Sequence, residues 1–239
     1  MKITFLGTSH GYPEGNRKCS CTLLEIQGNH YLIDIGTMPE PELINRGIPI
    51  DSVKGIFVTH MHGDHLDGLP GFMDHLTWLY KTADPVICLP QIECVATLND
   101  WMRHTLGRPM REHKFRRIEA GEIYDDGILK VTAIPTQHCA LSYAFLLEAE
   151  GKRVVFTGDL RGPGVDFPQV ALEQHLDLLV AEAAHFPITD YAPLLKTADI
   201  DSVIFHHYFL RRMDGFWQMK LDLEPLPVRL AHDGLEYTL

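Results

Sequence analysis

Residues 59 to 65 of the chain read Thr-His-Met-His-Gly-Asp-His and place three imidazoles and a carboxylate within six positions. Borderline divalent cations take such a mixture of donors, Zn²⁺ foremost. The stretch follows Gly55-Ile56-Phe57-Val58, an apolar run with the character of a buried strand. Side chains alternate along an extended segment, so His60 and His62 point the same way and can clamp one ion. Asp64 and His65 are neighbours and diverge, which suits a second ion close to the first. A single histidine at a strand end is usually just solvated; four donors this close together point to metal.

The longer string from His60 to Gly71, His-Met-His-Gly-Asp-His-Leu-Asp-Gly-Leu-Pro-Gly, resembles the signature of the metallo-β-lactamase superfamily of metal-dependent hydrolases. It is similar in particular to the phosphodiesterase side of that superfamily. That side includes RNase Z, the tRNA 3′-end-processing ribonuclease, and the cyclic phosphodiesterase of phosphonate breakdown. The opening Met1-Lys2-Ile3-Thr4-Phe5-Leu6-Gly7-Thr8-Ser9-His10-Gly11-Tyr12-Pro13 also resembles how those proteins begin. The resemblance covers nearly the whole chain and implies an α/β fold, the αββα four-layer sandwich, in which two facing sheets carry helices outside.

The same resemblance implies the remaining donors of a two-metal site, each following a strand. His138 follows Val131-Thr132-Ala133-Ile134 through Pro135-Thr136-Gln137. Asp159 ends Val154-Val155-Phe156-Thr157-Gly158-Asp159, where the glycine lets the backbone turn sharply. The last donor is His206 or His207, adjacent side chains that cannot both face one metal pair. Alignment of His206-His207-Tyr208 with the Thr-His-Phe pattern of the ribonuclease branch selects His207. The implied partition is His60, His62 and His138 on one ion, Asp64, His65 and His207 on the other, and Asp159 bridging both. Two divalent ions are thus expected, Zn²⁺ first, with Mn²⁺ or Fe as alternatives. Asp34, after Tyr31-Leu32-Ile33, either orients a metal-ligating imidazole, as the resemblance suggests, or caps a turn.

Two dications about 3.5–4 Å apart polarise an electrophile and make a bridging hydroxide available at neutral pH. A phosphodiester suits this chemistry, and its leaving alkoxide then needs a proton. Glu182 and His185, in Leu179-Val180-Ala181-Glu182-Ala183-Ala184-His185-Phe186, are the candidates. The ribonuclease branch has a similar Glu-containing segment with a Glu–His pair in this role. His185 is expected to be the acid and Glu182 its support, the alternative being a structural histidine; Asp64 completes the expected catalytic set. The expected function is hydrolysis of a small phosphodiester, cyclic esters included. A thioesterase or lactonase is the second enzymatic reading, and a non-catalytic metal-binding regulatory domain the third. The complete ligand set argues against the last. Flavodiiron-type oxidoreductases of the superfamily carry Glu where this chain has His62.

The elements that must position these groups alternate along the chain. Strand-like runs cover 3–6, 22–26, 31–35, 56–59, 86–89, 129–134, 142–147, 153–157, 178–181, 203–205 and 228–231. Helical patterns fall near 66–81, 91–105, 168–175, 190–198 and 215–220. No linker or repeat divides the 239 residues, so a single domain over 1–239 is expected. No run of 18 apolar residues appears, and no membrane association is expected. Five cysteines without a disulfide framework suit a reducing cytoplasm. Cys19 and Cys21 could hold a structural metal only with donors from elsewhere.

A net charge of −11 is adverse to long polyanions, which are normally held by Lys and Arg. His138 and Asp159 are 21 positions apart, too close for the tRNA-clamping arm that RNase Z often inserts between them. Both features favour a small-molecule ester over tRNA. The segment 103–117 departs from the acidic average with six cations, Arg103, Arg108, Arg111, Lys114, Arg116 and Arg117. It reads as a solvated helix end and loop or an oligomer contact, with a phosphate-recruiting rim as the alternative. A homodimer would be in keeping with the superfamily.

Overall fold

A computed structural model describes residues 1–239. The first sheet holds β1 (Lys2–Gly7), β2 (Cys21–Ile26), β3 (Asn29–Ile33), β4 (Val53–Phe57), β5 (Val86–Leu89) and β6 (Lys114–Arg117) in that order. The second holds β7 (Gly121–Asp125), β8 (Lys130–Pro135), β9 (Tyr143–Ala149), β10 (Lys152–Phe156), β11 (Leu178–Ala183), β12 (Val203–Tyr208) and β13 (Val228–Leu230). The chain then returns to the first sheet, where β14 (Glu236–Thr238) pairs with β1. Both sheets follow one plan. An antiparallel meander leads into three parallel pairings, β3 to β6 in one and β10 to β13 in the other.

Eight helices cover the outer faces and connections: α1 (Glu40–Asn45), α2 (Gly63–Leu66), α3 (Leu69–Trp78), α4 (Cys94–Leu106), α5 (Pro163–Asp166), α6 (Val170–Glu173), α7 (Ala192–Leu195) and α8 (Phe216–Asp222). None is long and apolar enough to cross a membrane.

Three apolar clusters separate the four layers. The largest lies between the sheets and joins Ile3, Phe5, Leu24, Tyr31 and Phe57 to Val131, Phe145, Val154, Phe156 and Val180. Outside the first sheet, Leu23, Leu32, Ile56 and Ile87 pack against Leu69, Phe72, Met73 and Leu76 of α3. Outside the second, Val155, Leu179, Val203 and Phe205 pack against Leu195, Phe216 and Met219. Neighbours such as Leu23 and Leu24, or Val154 and Val155, therefore enter different clusters, as alternation along a strand demands. Strands buried on both faces read as unbroken apolar runs, which made them visible in the sequence. Each fully buried side chain of this kind contributes about 1.5–3 kcal/mol. The expected αββα sandwich is the architecture observed.

Three strands differ from expectation: β6, β7 and β14 have no apolar run to announce them. β6 reads Lys-Phe-Arg-Arg and is an edge strand, where charges block further pairing. It also accounts for much of the basic segment. Lys114 pairs with Asp84 at 2.9 Å, Arg117 with Glu93, and Arg108 with Asp74 at 3.5 Å while lying over the Trp78 ring. Arg111 donates to the Leu76 and Ala83 carbonyls. Four of the six cations are thus engaged in tying the chain to itself. The helix expected at 66–81 is broken into α2 and α3 around Gly68. That residue donates its N–H to the Ile35 carbonyl at 2.8 Å, and a Cβ there would meet the Thr37 carbonyl carbon at 2.4 Å.

Candidate metal centre

The donors named from sequence come from one edge of the two sheets. Asp34 follows β3, His60 follows β4, His138 follows β8, Asp159 follows β10, Glu182 lies near the end of β11, and His207 lies in β12. Ends of parallel strands converge at such an edge, which is where α/β proteins gather polar function.

The nitrogens of His60, His62 and His138 form one group and the donors of Asp64, His65 and His207 a second, with Asp159 between them. Asp159 Oδ2 lies 3.6 Å from His60 Nε2 and 3.6 Å from His138 Nε2. Asp159 Oδ1 lies 3.4 Å from His65 Nε2 and 3.3 Å from His207 Nε2. Asp64 Oδ2 is 3.7 Å from His65 Nε2 and 3.6 Å from His207 Nε2. His62 Nδ1 stands 2.9 Å from His60 Nε2 and 3.2 Å from His138 Nε2. Donors bound to one tetrahedral cation stand about 3.3–3.6 Å apart. The two groups fit one cation each, with the oxygens of Asp159 divided between them.

The buried atoms agree with that fit. His65 Nε2 and Asp159 Oδ1 have no hydrogen-bond partner. Leaving such atoms unpaired costs about 1–3 kcal/mol each, and a cation placed between them would satisfy both. Burial, then the neighbouring His65, pushes the His60 imidazole down to about 2, so it presents a neutral nitrogen. Burial opposes charge on His65, but Asp159 and Asp34 outweigh it and hold the imidazole well above its ordinary range. Burial likewise disfavours the Asp159 carboxylate, and His207 and His65 overcome it, keeping Asp159 well below the usual carboxylate range.

A second layer of contacts aims these rings. Asp34 is buried and takes hydrogen bonds from the Thr59 N–H at 2.7 Å and the Thr59 hydroxyl at 3.0 Å. The other Asp34 oxygen lies 2.7 Å from His65 Nδ1, which leaves His65 Nε2 facing inward. Ser20 Oγ lies 3.1 Å from His207 Nδ1 and does the same for that ring. The Gly11 N–H donates to Asp64 Oδ2 at 2.6 Å. Gly36 makes room for the motif itself, because a Cβ there would stand 1.8 Å from the Asp64 carbonyl oxygen. Ser20 and Gly36 carry no motif signal, while Gly11 lies in the opening segment and Thr59 opens the metal motif without any local pattern that assigns their contacts.

A bulge brings His207, rather than His206, to face the candidate centre. Glu182 pairs with His206 and Ala183 with Tyr208, so His207 is the extra residue of β12. Its φ of +48° is left-handed and turns its ring out of strand alternation toward Asp64 and Asp159. His206 packs instead between Phe5 and Phe156, at ring distances of 5.8 and 6.2 Å. Burial, with His207 adding to it, pushes His206 down to about 3.

His185 stands at the margin of the centre. Its Nδ1 is 2.9 Å from Glu182 Oε1, and its Nε2 is 3.7 Å from Asp159 Oδ2. Glu182 is fully buried and also accepts the backbone N–H groups of Leu160 and Ala184, each at 2.8 Å. Burial lowers the His185 pKa, but Glu182 more than compensates and the net shift is upward.

Cys19 and Cys21 join no metal-competent group. Both are buried, Cys21 within the apolar cluster under α3, and burial pushes the Cys19 thiol up to about 11. A separate trio, His175, Asp177 and Asp201, sits before β11 and β12, and there Lys152 already occupies Asp177 at 2.6 Å.

Comparison with known proteins places this geometry. Ribonuclease BN of Escherichia coli O7:K1 (strain IAI39) is 32% identical over 162 residues, covering 64% of this chain and 51% of the ribonuclease. The chain thus spans about half the length of the curated relatives it matches. Human tRNase Z, short form, superposes with a TM-score of 0.77 at 20% identity, covering 100% of this chain and 99% of that one. The metallo-β-lactamase fold protein YhfI of Bacillus subtilis gives a TM-score of 0.77 at 17% identity, covering 99% and 98%. The resemblance expected from the motif therefore holds in sequence and in fold. The family model described as anti-Pycsar protein Apyc1 matches residues 1–184, the stretch that carries every candidate donor except His207. The chain belongs to the anti-Pycsar protein Apyc1 family and has the metallo-β-lactamase fold.

Proposed function

We propose that the protein is a metal-dependent phosphodiesterase acting on a small cyclic phosphodiester, with cyclic nucleotides as the substrate class. The observation that carries this reading is the buried Asp159 carboxylate, shared between two imidazole groups and 3.7 Å from a carboxylate-supported histidine, His185. His60, His62 and His138 would hold one cation and Asp64, His65 and His207 a second, with Asp159 within reach of both groups. Zn²⁺ is the first choice, with Mn²⁺ or Fe served by the same donors. Such cations supply Lewis-acid polarisation of the phosphoryl oxygens and a nucleophile at neutral pH.

The protein's own groups complete the reaction. His185 gives its Nε2 proton to the leaving oxygen as the ester bond breaks. Glu182 holds Nδ1 of that ring and stabilises its charged form before the transfer. Asp64, pinned by the Gly11 N–H, is fixed in position on the opposite side of the centre from His62 and His138.

A small substrate is favoured over a polynucleotide. The chain between His138 and Asp159 is a bare hairpin of β9 and β10, with no room for an RNA-holding arm. The net charge of −11 repels long polyanions. The family name points toward cyclic nucleotides, whereas the ribonuclease relatives match over only part of their length.

The test is hydrolysis of bis(p-nitrophenyl) phosphate and of 3′,5′-cyclic nucleotides by protein reconstituted with Zn²⁺ or Mn²⁺. Turnover should require metal and vanish in Asp64→Ala. Absence of turnover in protein carrying two equivalents of metal would sink the reading and direct the search to thioesters and lactones.

A further inference from the structure

Beside the metal centre the chain presents aromatic side chains that the chemistry above does not use. We infer that Tyr12 and Phe209 form a subsite for a flat aromatic group, the nucleobase of a nucleotide whose phosphate faces the metal centre. The inference rests on the phosphodiesterase reading and adds the part of the substrate that the phosphate chemistry leaves unspecified.

Tyr12 is 55% exposed, yet its loop is fixed. The Ser9 hydroxyl donates to the Tyr12 carbonyl at 2.9 Å, and the next residue back, Gly11, is held by Asp64. The loop is also fastened to the last residue of β12. Buried Arg17 donates to the Thr8 carbonyl and, at 3.0 Å, to the Tyr208 carbonyl, with its guanidinium 3.9 Å above the Tyr208 ring. His10 fills the space between the two segments. Its ring lies 4.4 Å from Phe209, 5.6 Å from Tyr12 and 6.3 Å from His207. Two ring contacts therefore separate Tyr12 from a candidate metal ligand. Phe209 is half-buried, and the exposed Arg211 guanidinium lies 5.8 Å from its ring.

An aromatic side chain held out into water on a pinned loop gives nothing to the core. Joined through the His10 ring to Phe209, with the exposed Arg211 beside it, it makes a stacking platform at the rim of the metal centre, which accepts any base because every base has a π-face. Apolar groups alone would not call for Arg211. A nucleotide uses both parts, with its base on the rings and its phosphate on the metal side.

The experiment compares binding of adenosine 5′-monophosphate and ribose 5-phosphate to metal-reconstituted protein by calorimetry, so that no turnover is needed. The wild type should favour the nucleotide by about tenfold or more, the contribution of one base stacked on an aromatic ring. Tyr12→Ala should remove most of that preference, and Tyr12→Phe should keep it. Equal affinity for the two ligands in the wild type overturns the subsite, as does a preference that survives both Tyr12→Ala and Phe209→Ala. Preference lost in Tyr12→Ala by a protein that hydrolyses no cyclic nucleotide would keep the subsite and remove the phosphodiesterase reading.

Discussion

At the scale of single residues, His185 and Glu182 are joined by a 2.9 Å contact between Nδ1 and Oε1. A general acid matters in proportion to the basicity of the leaving group, because a good leaving group departs without a proton. His185→Ala should slow hydrolysis of alkyl esters about 100-fold or more and that of p-nitrophenyl esters far less. Equal losses on both would show that the ring does not donate the proton. Ser20→Ala tests the second layer. The serine touches only the Nδ1 side of His207, so its loss should weaken one cation about 10–100-fold and leave the other in place. Titration with a chromophoric chelator would resolve two unequal sites in the variant. Two sites weakened equally would mean that Ser20 acts on the fold rather than on His207.

At the scale of elements, strand ends do the placing and small irregularities do the aiming. The bulge in β12 turns His207 toward Asp159, and without it the ring would take its turn in strand alternation. Gly158 does the same for Asp159. Its φ of +56° is left-handed, and a Cβ there would meet the Tyr143 carbonyl oxygen at 2.6 Å. Gly158→Ala should therefore lower stability by about 1–3 kcal/mol, from backbone strain and steric displacement together. The urea midpoint would fall with the slope unchanged; an unaltered midpoint would mean that the turn relaxes freely. The two sheets place Asp34 and Asp159 alike, each following the strand that opens the parallel pairings. In the second sheet that position gives a candidate ligand, and in the first it gives the group that orients His65.

For the whole molecule, the centre is where the layers meet. The Tyr143 N–H donates to the Thr59 carbonyl at 3.0 Å, joining the second sheet to the loop that carries the motif. Donors brought together from both sheets, several of them buried, make cation binding a cross-brace. At a free metal concentration of a hundred times Kd the gain is about 2.7 kcal/mol. For a chain of this size, 1 kcal/mol moves Tm by about 2–4 °C. Stripping the metal with a chelator should then lower Tm by about 5–10 °C, and readdition of Zn²⁺ should restore it. A Tm indifferent to metal would separate the centre from the stability of the sandwich.

The sequence, with the family resemblance its motif carries, determined the layers and named the candidate donors. Runs such as Val154-Val155-Phe156 are apolar on both faces, as a strand sandwiched between two layers requires. His60, His62, Asp64 and His65 fall within six residues, between the end of β4 and the single turn of α2, so they too were legible. Charged or short edge strands such as β6 and β14 were not legible, because their pairing is decided by the neighbouring strand and not by their own composition. Alignment favoured His207 over His206, but only the tertiary structure gives the physical reason, a bulge set against Glu182 on another strand. The same holds for Ser20 with His207, Asp34 with His65, and His10 with Phe209. A hydrogen bond or ring contact between residues far apart in the chain depends on how the strands are registered, and no local pattern records that.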